Sequence, residues 1–235
     1  VMGVEEEKEV SLNFFQKEKD LLRLHAIVDS TKSQMNGKVL FVIDKSGSMH
    51  SDWHQVQSAV RYMQECGDLN PDFMVYDDVA RFCSMADIFS MNAGSCTNFS
   101  AAFNLIREYI NKEPANSHIN IVFMTDGHNN GPNLPNAISM LKVFLKSCRR
   151  TSCIHTIGFS RGHDRKTLDD IRVLGTSEGV YRFADSEGLE DKFSELFDFI
   201  SFSQKVSLSF GKDFNQTFDS CKTEDGQIVD VMLKL

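Results

Sequence analysis

Two stretches of this chain, Lys38–Ile43 and Ile119–Met124, carry apolar residues almost without interruption, and Cys153–Phe159 reads as a further strand. A strand with one face in water alternates apolar and polar residues, so strands lacking that alternation must be covered on both faces. The intervals between them read as helices. Trp53, Val56, Val60 and Met63 recur at helical spacing, as do Phe99, Ala102, Phe103, Ile106 and Ile110. A helix is expected to start near Pro135, a residue suited to a first helical position. Leu168, Ile171 and Leu174 mark a short helix, Gly179–Ala184 a strand, and Leu189, Phe193, Leu196 and Ile200 a final helix. Phe73–Asp77 and Val79–Met85 are β-rich runs joined at Asp77-Asp78, which predicts a hairpin at a sheet edge. Repeated β-α-β alternation of this kind predicts a Rossmann-like, doubly wound α/β fold. Its sheet is expected to be mostly parallel, covered by helices on both faces, with the hairpin at one edge.

The two ends follow a different period. Val10, Leu12 and Phe14 alternate with polar residues, as do Leu22, Leu24, Ala26 and Val28. Val206, Leu208 and Phe210 do so near the other end, followed by Val229, Val231, Leu233 and Leu235. Period-2 patterns belong to half-buried strands, so a small accessory antiparallel β layer built from both termini is expected. The competing reading of residues 16–30 is a helix. The boundaries that follow are a β extension over 1–36, the α/β domain over 37–202, and C-terminal strands over 203–235. A chain that starts at Val1 rather than Met reads as a fragment of something longer.

A formal charge of −8 argues against nucleic acid or an anionic membrane as partner, because a polyanion is not drawn to an acidic surface. The same charge suits a bound cation. No apolar run approaches the length of a membrane span, and no signal-peptide pattern is visible. The six cysteines show neither a C-x-x-C pair nor zinc-ribbon spacing, so they read as free thiols. Cys148 and Cys153 are the one pair near enough in sequence to bridge. Sequons at Asn98 and Asn215 point weakly outward, the thin scatter of thiols inward, and the expected location is cytoplasmic.

The first buried strand runs into Asp44-Lys45-Ser46-Gly47-Ser48, and "INIVFM" runs into Thr125-Asp126-Gly127. Both aspartates therefore stand just past the carboxyl ends of strands, where open α/β sheets hold ligands. Thr97, immediately before a helix, supplies a further hydroxyl. Side-chain oxygens of Asp44, Ser46, Ser48, Thr97 and Asp126 suit a hard divalent cation: Mg²⁺, or Mn²⁺ or Ca²⁺. Two neighbouring carboxylates would otherwise raise one another's pKa. Taken singly, each of the five is an ordinary turn residue; it is the joint pattern that points to metal.

That pattern, D-x-S-x-S with a distant threonine and T-D-G, resembles the metal-ion-dependent adhesion site of von Willebrand factor A domains. The resemblance covers about Lys38 to Phe202. It implies a parallel sheet with one antiparallel edge strand, and a metal that bridges to an acidic residue of a protein partner. It also implies that the last helix, Leu189–Phe202, shifts if affinity is regulated. The flanking strands look like the accessory β layer of some multidomain members, among them inter-alpha-trypsin inhibitor heavy chains and certain plant ubiquitin ligases.

The remaining motifs are weaker. His50 and His54 are four apart, but Ser51 stands where a zinc protease needs Glu. His50, Asn98, His128 and Asn129 are expected to rim the metal face and tune partner choice. Lys45, a cation beside the ion, is expected to point away, since neighbours in an extended segment face opposite sides. Cys96 reads as a small packed thiol. S-x-x-K at Ser139 lacks its companion motifs, and no P-loop, G-x-G-x-x-G or G-x-S-x-G is present. With no visible carrier of catalysis, the chain reads as a non-enzymatic, divalent-metal-dependent protein-interaction module of adhesion or scaffold type. The alternative is a non-catalytic scaffold within a larger enzyme such as a ubiquitin ligase.

Overall fold

The continuous apolar runs become neighbouring strands at the centre of a six-stranded sheet in the computed structural model. The structure describes residues 10–18, 21–28, 37–66, 71–115, 117–185, 204–210, 214–223 and 226–234, with 188–189, 191–193 and 195–196. It divides into two compact units, Asn36–Leu196 on one hand and Val1–Met35 with Phe197–Leu235 on the other.

In chain order the elements begin with β1 (Val10–Glu18), β2 (Leu21–Val28) and β3 (Gly37–Asp44), followed by a single 3-10 turn, Gly47–His50. Next come α1 (Trp53–Cys66), β4 (Asp72–Tyr76), β5 (Ala80–Cys83), α2 (Met85–Ser90) and α3 (Phe99–Lys112). The α/β unit continues through β6 (His118–Thr125), α4 (Leu134–Ser147), β7 (Thr151–Phe159), α5 (Arg165–Arg172) and β8 (Tyr181–Ala184). A last helical stretch lies within 189–196; the rest of the helix expected over Leu189–Phe202 lies outside the described residues. Then come β9 (Gln204–Phe210), β10 (Phe214–Thr223) and β11 (Gly226–Lys234).

The six-stranded sheet has the order β5-β4-β3-β6-β7-β8, with only β5 antiparallel to its neighbour. The chain thus leaves β3 through β4 to the β5 edge, then resumes on the other side of β3 as β6. That reversal creates a crevice between the carboxyl ends of β3 and β6, the place where such sheets bind ligands.

Both faces of the sheet are covered, as the lack of alternation requires. On one face Leu40, Val42, Met74, Tyr76, Ile119, Ile121 and Phe123 pack with Phe99, Phe103 and Ile106 of α3 and Leu141 and Leu145 of α4. Phe123 is boxed by Tyr76, Phe99 and Phe103, with ring centroids 5.3–5.7 Å away. The opposite face is led by Phe41, which stacks on Phe73 at 5.7 Å and on Phe193 at 5.3 Å. Val56, Val60 and Met63 of α1 are fully buried as well. Burying one such side chain stabilises a fold by about 1.5–3 kcal/mol.

Helix starts follow local chemistry. Asn98 and Asp164 cap α3 and α5 by accepting the backbone N–H of Ala101 and Thr167. The β-run expected to reach Met85 stops at Cys83 instead. Ser84 and Asp87 form a reciprocal capping box that starts α2, and two satisfied N–H groups outweigh the strand preference of a run at the sheet edge.

The other unit is a five-stranded antiparallel sheet in the order β1-β2-β11-β10-β9. Strands replace the helical alternative over 16–18 and 21–28, and the rest of that expectation lies outside the described residues. Leu24 lies opposite Phe14 and Val231, and Ala26 opposite Leu12 and Val229. The period-2 positions from the two ends of the chain thus share one register, and a slip of one residue would destroy that match.

Gly179 can only be glycine. A Cβ there would lie 1.8 Å from the Ile154 carbonyl oxygen, so Gly179→Ala must push β7 and the approach to β8 apart. A loss of about 1–3 kcal/mol is expected, read as a lower urea midpoint at unchanged slope. A second expectation concerns His155, 1% exposed in β7. Its Nδ1 accepts the Val180 N–H at 3.3 Å, and burial pulls its pKa down to about 4. The folded pKa lies below the unfolded 6.5, so the neutral ring's contribution is complete above pH 6.5 and is lost as pH falls through 4. That contribution is on the order of 3 kcal/mol. The stability difference between wild type and His155→Leu, followed by urea unfolding across pH 7 to 4, should shrink by that amount. Parallel profiles would rule it out.

Candidate functional site

Asp44 ends β3 with its side chain fully buried. Its Oδ1 accepts the Ser46 backbone N–H at 2.8 Å, and its Oδ2 accepts the Thr125 hydroxyl at 2.6 Å. Thr125, the last residue of β6, also accepts the Gly127 N–H at 3.2 Å, which fixes the turn carrying Asp126. From that turn Asp126 Oδ1 accepts the Ser48 hydroxyl at 2.7 Å, and the Ser46 and Ser48 hydroxyl oxygens are 3.1 Å apart. A carbon added to Gly127 would meet Ser48 Oγ at 3.7 Å and Thr97 Oγ1 at 4.0 Å. The hydroxyls of Ser48 and Thr97 therefore border the same small volume. The structure brings Asp44, Ser46, Ser48, Thr97 and Asp126 together at the crevice between β3 and β6.

The cluster is acidic at its base. Burial pushes Asp44 up to about 6, against the hydrogen bonds from Thr125 and Ser46 and with a push from Asp126. That displacement is worth on the order of 3 kcal/mol against the charged form. Burial also raises Asp126. Tyr76, fully buried beside Asp44, is driven far above the ordinary tyrosine range by the same desolvation and by the Asp44 charge; its hydroxyl donates to the Met124 carbonyl at 3.0 Å. Lys45 does turn away from this pocket: its ammonium group is paired with Asp77. Among the described residues, neither Asp44 nor Asp126 has a lysine, arginine or histidine partner.

Two carboxylates and three hydroxyls, all hard oxygens, with buried negative charge left uncompensated, are a donor set that fits Mg²⁺, Mn²⁺ or Ca²⁺. Among the described residues no three His, Cys, Asp or Glu gather as a metal-holding group, so the hydroxyls are indispensable to any such fit. The exposed His54 ring approaches the Ser51 carbonyl at 3.1 Å, and the pair His50 and His54 is part of no such group.

The four rim residues divide. His50 and His128 are exposed, and His128 Nδ1 lies 3.7 Å from Asp164. Asn98 is occupied as the α3 cap and donates to the Asp78 carbonyl at 3.1 Å. Asn129 accepts the Phe99 N–H at 2.8 Å and donates to the Gly131 carbonyl at 2.7 Å. Both asparagines thus hold the loops in shape. Cys96, expected as a packed thiol, is exposed. Cys148 and Cys153 are separate thiols, directed at the carbonyls of Leu145 and Arg150 and of Glu178.

Thr125 and Asn130 were not singled out from the sequence. Asn130 N–H donates to the Thr97 carbonyl at 2.7 Å, and its side-chain oxygen lies 3.4 Å from the Thr97 nitrogen. A hydroxyl residue ending an apolar strand one position before an aspartate is the signal that would have found Thr125. Asn130 carries no comparable signal. No helix among the described residues is long and apolar enough to cross a membrane.

No protein-family profile matches the chain, and no curated protein sequence does either. Solved structures do. A von Willebrand factor type A protein from Catenulispora acidiphila matches over 97% of this chain and 65% of its own, at 11% identity and a TM-score of 0.64. The von Willebrand factor domain of the type V pili tip protein Mfa5 from Porphyromonas gingivalis matches over 72% and 96%, at 15% identity and 0.54. The ArnB paralog VWA2 from Sulfolobus acidocaldarius matches over 96% and 74%, at 11% identity and 0.53. The chain spans just under two thirds of the Catenulispora protein's length. Six strands in this order, with β5 alone antiparallel and helices on both faces, together with these neighbours, give the chain the von Willebrand factor A fold.

Proposed function

We propose that the chain is a divalent-metal-dependent protein-interaction module in which Asp44, Ser46, Ser48, Thr97 and Asp126 hold Mg²⁺ or a similar ion. The observation that carries this reading is the convergence of five oxygens around carboxylates that burial leaves without a basic partner. When bound, such an ion supplies an electrophilic position that an Asp or Glu of a partner protein can fill. The chain's own residues do the rest. Asp44 and Asp126 neutralise positive charge, and Ser46, Ser48 and Thr97 provide neutral oxygens that keep the site from becoming over-acidic. Thr125 holds the Asp44 carboxylate at a fixed angle and, through the Gly127 N–H, ties it to the Asp126 turn. The exposed His50 and His128 stand nearby as the groups that tune which partner docks.

The fold neighbours include a pilus adhesin, SpaC from Lactobacillus rhamnosus GG, besides the pilus tip protein, and they support the interaction reading. The chain acts by binding and not by catalysis, in the cytoplasm. The second reading, a scaffold within a larger enzyme, shares this site and differs only in what lies outside the chain.

Calorimetric titration with Mg²⁺ and Mn²⁺ tests the metal. The wild type should give saturable heat, and Asp44→Ala and Asp126→Ala none. Thr125→Val, which removes the hydroxyl that supports both Asp44 and the Asp126 turn, should weaken affinity by roughly 10–100-fold. A wild type without metal-dependent heat, or an Asp44→Ala variant that titrates like wild type, sinks the proposal. Capture of a partner from lysate should then be abolished by chelator and restored by Mg²⁺.

A further inference from the structure

Lys45 is an odd residue for a cation site. It lies between Asp44 and Ser46, and Coulomb's law alone makes a lysine there a liability for binding a second cation. We infer the opposite: Lys45 and Asp77 form a positioning strut that holds the Thr97 arm of the oxygen cluster, and Lys45 thereby raises affinity for a divalent ion. The inference rests on the metal reading above for its second half only.

The strut is visible as a set of bonds around the turn between β4 and β5. Lys45 and Asp77 are paired with side chains only 14% and 9% exposed. Removing Lys45 would leave the Asp77 carboxylate nearly buried without an ionic partner, an arrangement that is strongly destabilising. Asp77 is not a bystander. Its Oδ1 accepts the Val79 N–H at 3.1 Å, and its carbonyl accepts the Asn98 N–H at 2.9 Å. The next residue, Asp78, accepts the Ser95 hydroxyl and the Cys96 N–H, the latter at 3.1 Å, and its carbonyl accepts the Asn98 side-chain amide. Residues on both sides of Thr97 are thus fastened to a turn whose own shape depends on Asp77.

The serine side of the cluster is fastened to the same frame. The Lys45 N–H donates to the Tyr76 carbonyl, Gly94 N–H to the Lys45 carbonyl, and Gly47 N–H to the Ser95 carbonyl, each at 2.8 Å. The Lys45–Asp77 ion pair adds to these backbone bonds a side-chain tie from the turn that carries Ser46 and Ser48 to the β4–β5 turn on which the Thr97 loop is anchored. Because Asp77 pairs with the ammonium charge, the cluster experiences Lys45 mainly through this geometry.

Two effects of opposite sign make the experiment decisive. If charge dominates, Lys45→Met strengthens Mg²⁺ binding. If the strut dominates, it weakens binding by roughly tenfold or more, as loss of outer-shell support does at other metal sites. Lys45→Arg, which keeps the cation, should restore most of the affinity. Lys38→Met, which removes a lysine 4.0 Å from Asp72 elsewhere on the unit, should change nothing. Amide exchange followed by NMR on the metal-free chain reads the strut without any metal. The Cys96 and Asn98 amides should exchange at least about tenfold faster in Lys45→Met, consistent with local opening of a loop that has lost its anchor. Should that variant fail to fold, Lys45→Met with Asp77→Asn removes both charges and should show the same faster exchange.

Unchanged exchange at Cys96 and Asn98 would overturn the strut. Unchanged or tighter Mg²⁺ binding by Lys45→Met would overturn its role toward the metal. A wild type that binds neither Mg²⁺ nor Mn²⁺ would instead overturn the proposed function, and with it that role, while the exchange measurement still decides whether the strut exists.

Discussion

The buried Asp44 carboxylate is the constraint on which the crevice is built. It ends the central strand β3, has no solvent exposure, and is held by one backbone N–H and one hydroxyl. A carboxylate in that position is expensive unless something compensates its charge. The hydrogen bonds from Ser46 and Thr125 compensate part of it and, in doing so, orient two different loops. Ser46 opens the 3-10 turn that presents Ser48, and Thr125 holds the turn that presents Asp126. One charge at the end of one strand therefore organises residues separated by some eighty positions in sequence.

The sheet topology explains why those loops can meet. Because β6 resumes beside β3 after the excursion to β5, no connection crosses the gap between their carboxyl ends. Loops from either side can then turn toward that gap without obstructing one another. The β4–β5 hairpin contributes indirectly, since its turn is the anchor for the loop bearing Thr97. An edge hairpin that looks peripheral is thus part of the site's foundation.

Much of this was legible in the sequence, for reasons that differ by element. The apolar runs of β3 and β6 announced strands buried on both faces, and the 3.6-residue spacing of α1 and α3 announced their covers. Asp44, Ser46, Ser48 and Asp126 were legible because they stand at or just past the ends of β3 and β6, and Thr97 because it stands just before a helix. The short helix α2 was not, because the sequence signal there was a capping box, Ser84 with Asp87, inside a run that also suited a strand. Asn98 and Asn129 also have a structural task that no sequence pattern announces. A polar residue near a metal loop looks like a contact for a partner, but backbone N–H groups of the loop must themselves be satisfied, and those two side chains are spent on that task. The Lys45–Asp77 pair joins residues thirty-two apart, and no local periodicity encodes such a contact.

Similarity of fold and presence of a site are separate matters. At 11–15% identity, a shared backbone carries no information about which side chains line the crevice, and a fold of this type is compatible with many functions. The metal reading therefore depends on side-chain chemistry particular to this chain. Buried carboxylates that lacked a purpose would be replaced by neutral residues at a gain in stability, because each imposes a desolvation cost that two hydrogen bonds only partly offset. The arrangement of Asp44 and Asp126 around three hydroxyls, with the adjacent lysine drawn off by Asp77, is what a site for a hard cation requires.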